Sequence, residues 1–92
     1  MLALLPACTS TATQQEQDAE RAVLAYMQQY AKGNGTHYEP GSFETNSFPC
    51  GKTGQYRCHQ IRHTYTVTVE KGEIMQEKRS FYVDSAGTVR LD

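Results

Sequence analysis

The sequence predicts an α+β domain in which one N-terminal helix packs on a four-stranded antiparallel meander. Three observations predict it. Apolar residues recur at helical spacing between Ala19 and Tyr30. Apolar and polar residues alternate between Gln55 and Glu70, the pattern of a sheet with one covered face and one wet face. Glycine-containing turn signals then cut the remaining chain into strand-length pieces. A chain of 92 residues has room for one small domain.

The helix has a start, a stripe and a stop. Thr13-Gln14-Gln15-Glu16 has the form of a capping box, in which the threonine and glutamate side chains satisfy each other's backbone N–H groups. Ala19, Ala22, Val23, Tyr26, Met27 and Tyr30 form one apolar stripe, with Arg21, Gln28, Gln29 and Lys32 mostly outside it. Gly33-Asn34-Gly35 ends the helix, because these residues accept the left-handed backbone of a C-cap. Tyr26 and Tyr30 also suit a ligand-stacking pair, but core packing with the hydroxyls at the rim is the expectation.

The strands follow. The stretch 36–42 reads as irregular, with Pro40-Gly41 as a turn signal. A first strand is expected over 42–48, where the unlike parity of Phe43 and Phe48 demands a bulge or a short strand. In the second, over 55–70, Ile61, Tyr65, Val67 and Val69 share the covered face and Gln60, Arg62, Thr64, Thr66 and Thr68 the wet one. Lys71-Gly72 turns the chain into a third strand over 73–84, with Met75, Phe81 and Val83 facing alike. Asp84-Ser85-Ala86-Gly87 turns it again into a short strand over 88–91. This order is similar to that of small cystatin-like and NTF2-like domains, an analogy of architecture that no residue motif carries.

The chain opens MLALLPACTS, with Leu5, Ala7 and Cys8 at its heart. This resembles the end of a bacterial lipoprotein signal peptide: leucine three positions before a cysteine, a small residue just before it, then the cysteine itself. The resemblance implies cleavage before Cys8 and a diacylglyceryl thioether on its sulfur, which would tether the chain to the membrane. It also implies an organisation: 1–7 as a signal-peptide remnant, 8–13 as lipidated Cys8 and tether, and 14–92 as the single domain. Thr9 is not the aspartate that marks inner-membrane retention, so the expected address is the outer membrane facing the periplasm if the cell is Gram-negative. Signal peptides carry a positively charged leader. No Lys or Arg precedes Arg21, so Met1 is expected to be internal to a longer precursor. The tail around Phe81-Tyr82-Val83-Asp84 likewise resembles hairpins of bacterial lipoprotein domains built from a helix and an antiparallel sheet.

Three cysteines are an odd number. With Cys8 lipidated, Cys50 and Cys58 remain, and outside the cytoplasm such a pair tends to oxidise. Gly51 and Gly54 between them suit a hairpin connection, and Cys58 falls on the wet parity, so a surface cross-strand disulfide is expected. The mean hydropathy of −0.64 and the absence of Trp describe a thin core that would benefit from such a staple.

Catalytic patterns are scarce. Gly51-Lys52-Thr53 fails as a phosphate-binding loop, because the required earlier glycine is Asn46. Cys50, Cys58, His59 and His63 lack the spacing of a zinc knuckle, although a metal-binding module using Cys50, Cys58 and His63 stands as a minor alternative. His59 and His63 lie on the apolar parity and are expected half-buried at the sheet margin. Arg57, Arg62 and His63 make only a slight basic group. The net charge of −1 argues against a nucleic-acid partner. So small a domain is also expected to have little space for an enclosed pocket of a few hundred Å³. The combined expectation is a lipid-anchored cell-envelope protein without cofactor, not an enzyme. It would bind a protein, peptide or envelope polymer through its outer sheet face or a strand edge. A soluble secreted inhibitor or immunity-type protein is the alternative.

Overall fold

The computed structural model describes residues 13–92. They form one helix, α1 (Gln14–Asn34), and four strands, β1 (His37–Cys50), β2 (Tyr56–Thr68), β3 (Ile74–Val83) and β4 (Val89–Leu91). The strands make one antiparallel sheet in the order β1-β2-β3-β4, and the helix packs on one face of it. Cys8, the signal-peptide remnant and most of the tether lie outside the described residues.

Both helix ends use the devices written in the sequence. Thr13 Oγ1 accepts from the Glu16 N–H at 3.1 Å, and Glu16 Oε1 accepts from the Thr13 N–H at 2.9 Å. Gly35 closes the helix with φ 66° and donates its N–H to the Ala31 and Lys32 carbonyls. The buried stripe is Ala19, Val23, Met27 and Ala31. Tyr26 is half-buried and meets Phe81 edge-on at 5.9 Å, but Tyr30 is 57% exposed. The core expectation for Tyr30 therefore fails: position 31, one step on in the helix, turns inward in its place.

The stretch 36–42 is not an irregular segment; β1 begins at His37 and runs through it. Pro40-Gly41 appears as a bulge, where the pairing with β2 shifts between Pro40 and Phe43. Gly41 is required there. A Cβ built on it would stand 2.4 Å from the Thr64 carbonyl oxygen, a backbone atom that cannot swing aside. The bulge also reconciles parity, placing Tyr38 before it and Phe43, Thr45 and Ser47 after it opposite inward residues of β2.

The inner face gathers the core. Ile61, Tyr65, Phe81 and Val83 are buried against Ala19, Val23 and Met27. His59 and His63 are not marginal: they are 5% and 0% exposed and sit in that same layer. The outer face carries a second, smaller cluster around Cys58. The disulfide joins Cys50 to Cys58 across the β1–β2 ladder with Cα atoms 5.8 Å apart. Cys58 has the expected outward parity but is only 2% exposed. The Tyr82 hydroxyl donates to its sulfur at 3.1 Å, Phe48 leans on Tyr82, and Arg90 stacks over the Tyr82 ring at 4.5 Å. The wet face is thus locally dry, because Phe48 of β1, Tyr82 of β3 and Arg90 of β4 converge on the staple.

Candidate functional site

Two polar relays fix the inner face. The first crosses from helix to sheet. Glu16 Oε2 accepts from Ser47 Oγ at 2.6 Å, and Glu20 Oε2 accepts from Thr45 Oγ1 at 2.5 Å. The spacing explains the match: four helical residues rise about 6 Å, and two strand residues rise about 6.8 Å. Glutamates at i and i+4 therefore meet hydroxyls at j and j−2 when helix and strand run antiparallel. The Ser47 hydroxyl holds the Glu16 carboxyl below its ordinary range, aided by the Thr13 N–H.

Ser47 also lies 2.9 Å from His59 Nδ1. Serine, histidine and glutamate together invite comparison with a hydrolytic triad, but the order is wrong. A serine hydroxyl has one proton, and here the carboxylate takes it. Ser47 then accepts from His59 Nδ1–H, so the imidazole is a donor and cannot remove the serine proton.

The second relay is centred on His63. Its Nδ1 lies 2.9 Å from the Ser42 carbonyl, which can only accept, so Nδ1 carries the proton. Its Nε2 then accepts from the Tyr38 hydroxyl at 2.6 Å. The ring stacks on Phe43 with centroids 4.1 Å apart. Burial pushes the imidazole below its ordinary value, against a smaller raising effect of the Ser42 carbonyl, and burial pushes the Tyr38 phenol up to about 12. Both groups are satisfied, neutral and structural.

Beyond these relays, an open cleft of about 320 Å³ lies beside the C-terminal half of α1. Tyr26, Tyr30, Tyr38 and Tyr65 supply its rings, Met27, Val67, Met75 and Leu91 its aliphatic surface, and Glu77 and Arg79 its charged rim. Tyr38 and Tyr65 meet edge-on at 5.6 Å, and the His63 relay locks the Tyr38 end of that pair. Met75 and Leu91 remain 42% and 49% exposed at the mouth. A second cleft of about 350 Å³ lies at the other end of the helix, beside Arg57, His59 and Asp84, with a more polar wall. Both are open clefts rather than the enclosed pocket for which so small a domain has little room. A helix with small Ala31 as its last buried residue leaves the far end of the sheet uncovered.

Of the residues singled out from sequence, Cys50 and Cys58 come together. His63 does not join them: it lies inward and Cys58 outward, so the three do not form a metal site. No group of three or more potential metal ligands occurs among the described residues. Sequence reasoning missed the four-tyrosine cleft and the Glu16–Ser47 and Glu20–Thr45 bonds. The i, i+4 glutamates on the flank of the helix stripe were the available signal. Among the described residues, no helix is long and apolar enough to cross a membrane. No known protein family, curated protein or solved structure matches this chain.

Proposed function

We infer that the chain is a bacterial cell-envelope lipoprotein, tethered through Cys8, that works by binding rather than by catalysis, with the tyrosine-lined cleft as its ligand site. The cleft carries the reading. It combines exposed apolar surface with a Tyr38 ring held in place by its hydrogen bond to buried His63, the combination expected of a pre-formed binding site. It sits at the C-terminal half of α1, opposite the end to which a Cys8 tether would attach. The Cys50–Cys58 pair supports an oxidising compartment. Ser47 donates to a Glu16 carboxylate whose proton affinity is lowered and faces a donating His59, which supports a non-catalytic role.

Two measurements test this reading. Cells fed labelled palmitate should label the chain, and Cys8→Ser should abolish the label; equal labelling of the variant, or recovery of the chain wholly in the soluble fraction, refutes the tether and favours the unanchored inhibitor. Separately, the fluorescence of 8-anilinonaphthalene-1-sulfonate, an anionic aromatic probe, should rise on binding. Tyr30→Ala should weaken that binding about tenfold, whereas Arg62→Ala on the outer face should leave it unchanged. Equal binding to all three proteins, or no binding, removes the cleft as the site.

A further inference from the structure

The cleft opens onto a strand edge that the described residues leave unpaired. β4 covers only Phe81 to Val83 of β3, and one further bond runs from the Asp92 N–H to the Ser80 carbonyl. Among the described residues, Ile74 to Arg79 have a strand neighbour on the β2 side alone. The Ser80 carbonyl points to the open side, and backbone direction alternates along a strand. The N–H and C=O groups of Ile74, Gln76 and Lys78 therefore point outward as well. Side chains alternate too, so Met75, Glu77 and Arg79 point to the inner face and into the cleft wall.

The two free edges of the sheet differ. The outer edge of β1 carries Pro40, Pro49 and the bulge, features that obstruct strand pairing. The open stretch of β3 has no proline, no glycine and no bulge, and it carries Ile74 at 68% exposure. Leu91, the inward residue opposite Phe81, already begins a fourth row of side chains beside the cleft.

We propose that the β3 edge from Ile74 to Arg79 takes up an extended peptide segment of a partner protein as an added antiparallel strand in line with β4, with every second side chain entering the tyrosine-lined cleft. The backbone decides the occupant. A row of donors and acceptors repeating every second residue matches another extended polypeptide and neither a sugar nor a lipid. The wall decides the side chains. The inward residue of the added strand opposite Met75 is apolar, and those opposite Glu77 and Arg79, the latter next to Leu91, have apolar bodies with polar tips. The segment spans about six residues. This assignment rests on the cleft being the binding site and names the partner that the site takes.

The test pans a phage-displayed library of random decapeptides against the full chain. Enriched peptides are expected to carry apolar residues at alternate positions. At saturation the Gln76 and Lys78 amides should exchange with solvent at least about tenfold more slowly. Gln76→Pro removes only an outward N–H, so the fold persists and binding weakens about tenfold. N-methylation of the peptide nitrogens facing β3 should also abolish binding, whereas N-methylation of the alternate nitrogens should spare it. Four results overturn the proposal: no enrichment, enriched peptides without alternation, bound peptides that leave Gln76 and Lys78 unprotected, or a chain that dimerises and protects these amides without peptide. If the proposal fails while the anionic dye still binds in a Tyr30-dependent way, the cleft reading survives. Failure of both probes removes the two together.

Discussion

His63 shows how much one side chain decides here. A buried imidazole between a carbonyl and a phenol has only one arrangement that satisfies all three partners: protonated on Nδ1, accepting on Nε2, uncharged. Its depressed pKa gives a definite sign. The unfolded chain binds a proton near pH 6.5 and the folded chain resists it, so the stabilisation is complete above that pH and is lost as pH falls through the folded value. Glu16, also depressed, adds a second loss at lower pH, below the ordinary carboxylate range. Denaturation midpoints measured from pH 7.5 down to pH 5 should therefore fall, and His63→Leu should flatten that slope while lowering stability at pH 7.5. Tyr38→Phe should cost about 1–3 kcal/mol at neutral pH, because it leaves Nε2 buried without a donor.

At the scale of elements, β1 is the strand held least by its own sequence. It contains two prolines, a bulge and few apolar residues, and it is secured from outside. Glu16 and Glu20 grip it from the helix, the disulfide grips it from β2, and Gly41 lets its backbone lie against Thr64. Gly41→Ala should destabilise by about 1–3 kcal/mol, since the new methyl meets a backbone carbonyl. A scan for the urea midpoint would detect this. Reduction of Cys50–Cys58 should cost about 2–3 kcal/mol for so short a loop. That would lower the thermal midpoint by about 10–20 °C in a domain of this size. Calorimetry with and without reductant checks it, and Cys50→Ser with Cys58→Ser should reproduce the reduced midpoint.

The same strand marks what the sequence makes legible. Helix, caps, turns and the β2 alternation are local signals, set by residues within a few positions of one another, and the structure follows them closely. Pro40-Gly41 misled because a turn and a bulge use the same residues; only the partner strand distinguishes them. Cys58 was assigned to the wet face by its correct parity, yet its burial depends on Tyr82, which lies 24 positions away. The cleft was illegible for the same reason. It exists because Tyr38, Tyr65 and Leu91 are brought under the helix by sheet register, and no window of sequence contains all three.

For the whole molecule, one helix of about 31 Å cannot cover both ends of a sheet whose two longest strands, β1 and β2, run to more than about 40 Å. At one end the acidic flank of α1 bonds to β1, beside the more polar cleft at Arg57 and Asp84. At the other, the uncovered inner face becomes the cleft and the adjoining edge of β3 stays open. Binding surface, exposed methionine and free edge thus have a common origin in the mismatch between helix and sheet. The most direct measurement is the methyl spectrum of protein carrying carbon-13 at its methionine methyl groups, recorded while an alternating apolar peptide selected on the chain is added. Met27 lies at the floor of the cleft and Met75 at its mouth. The expected result is that both signals move together and saturate at one peptide per chain. The contradictory result is a peptide that binds while both signals stay where they were.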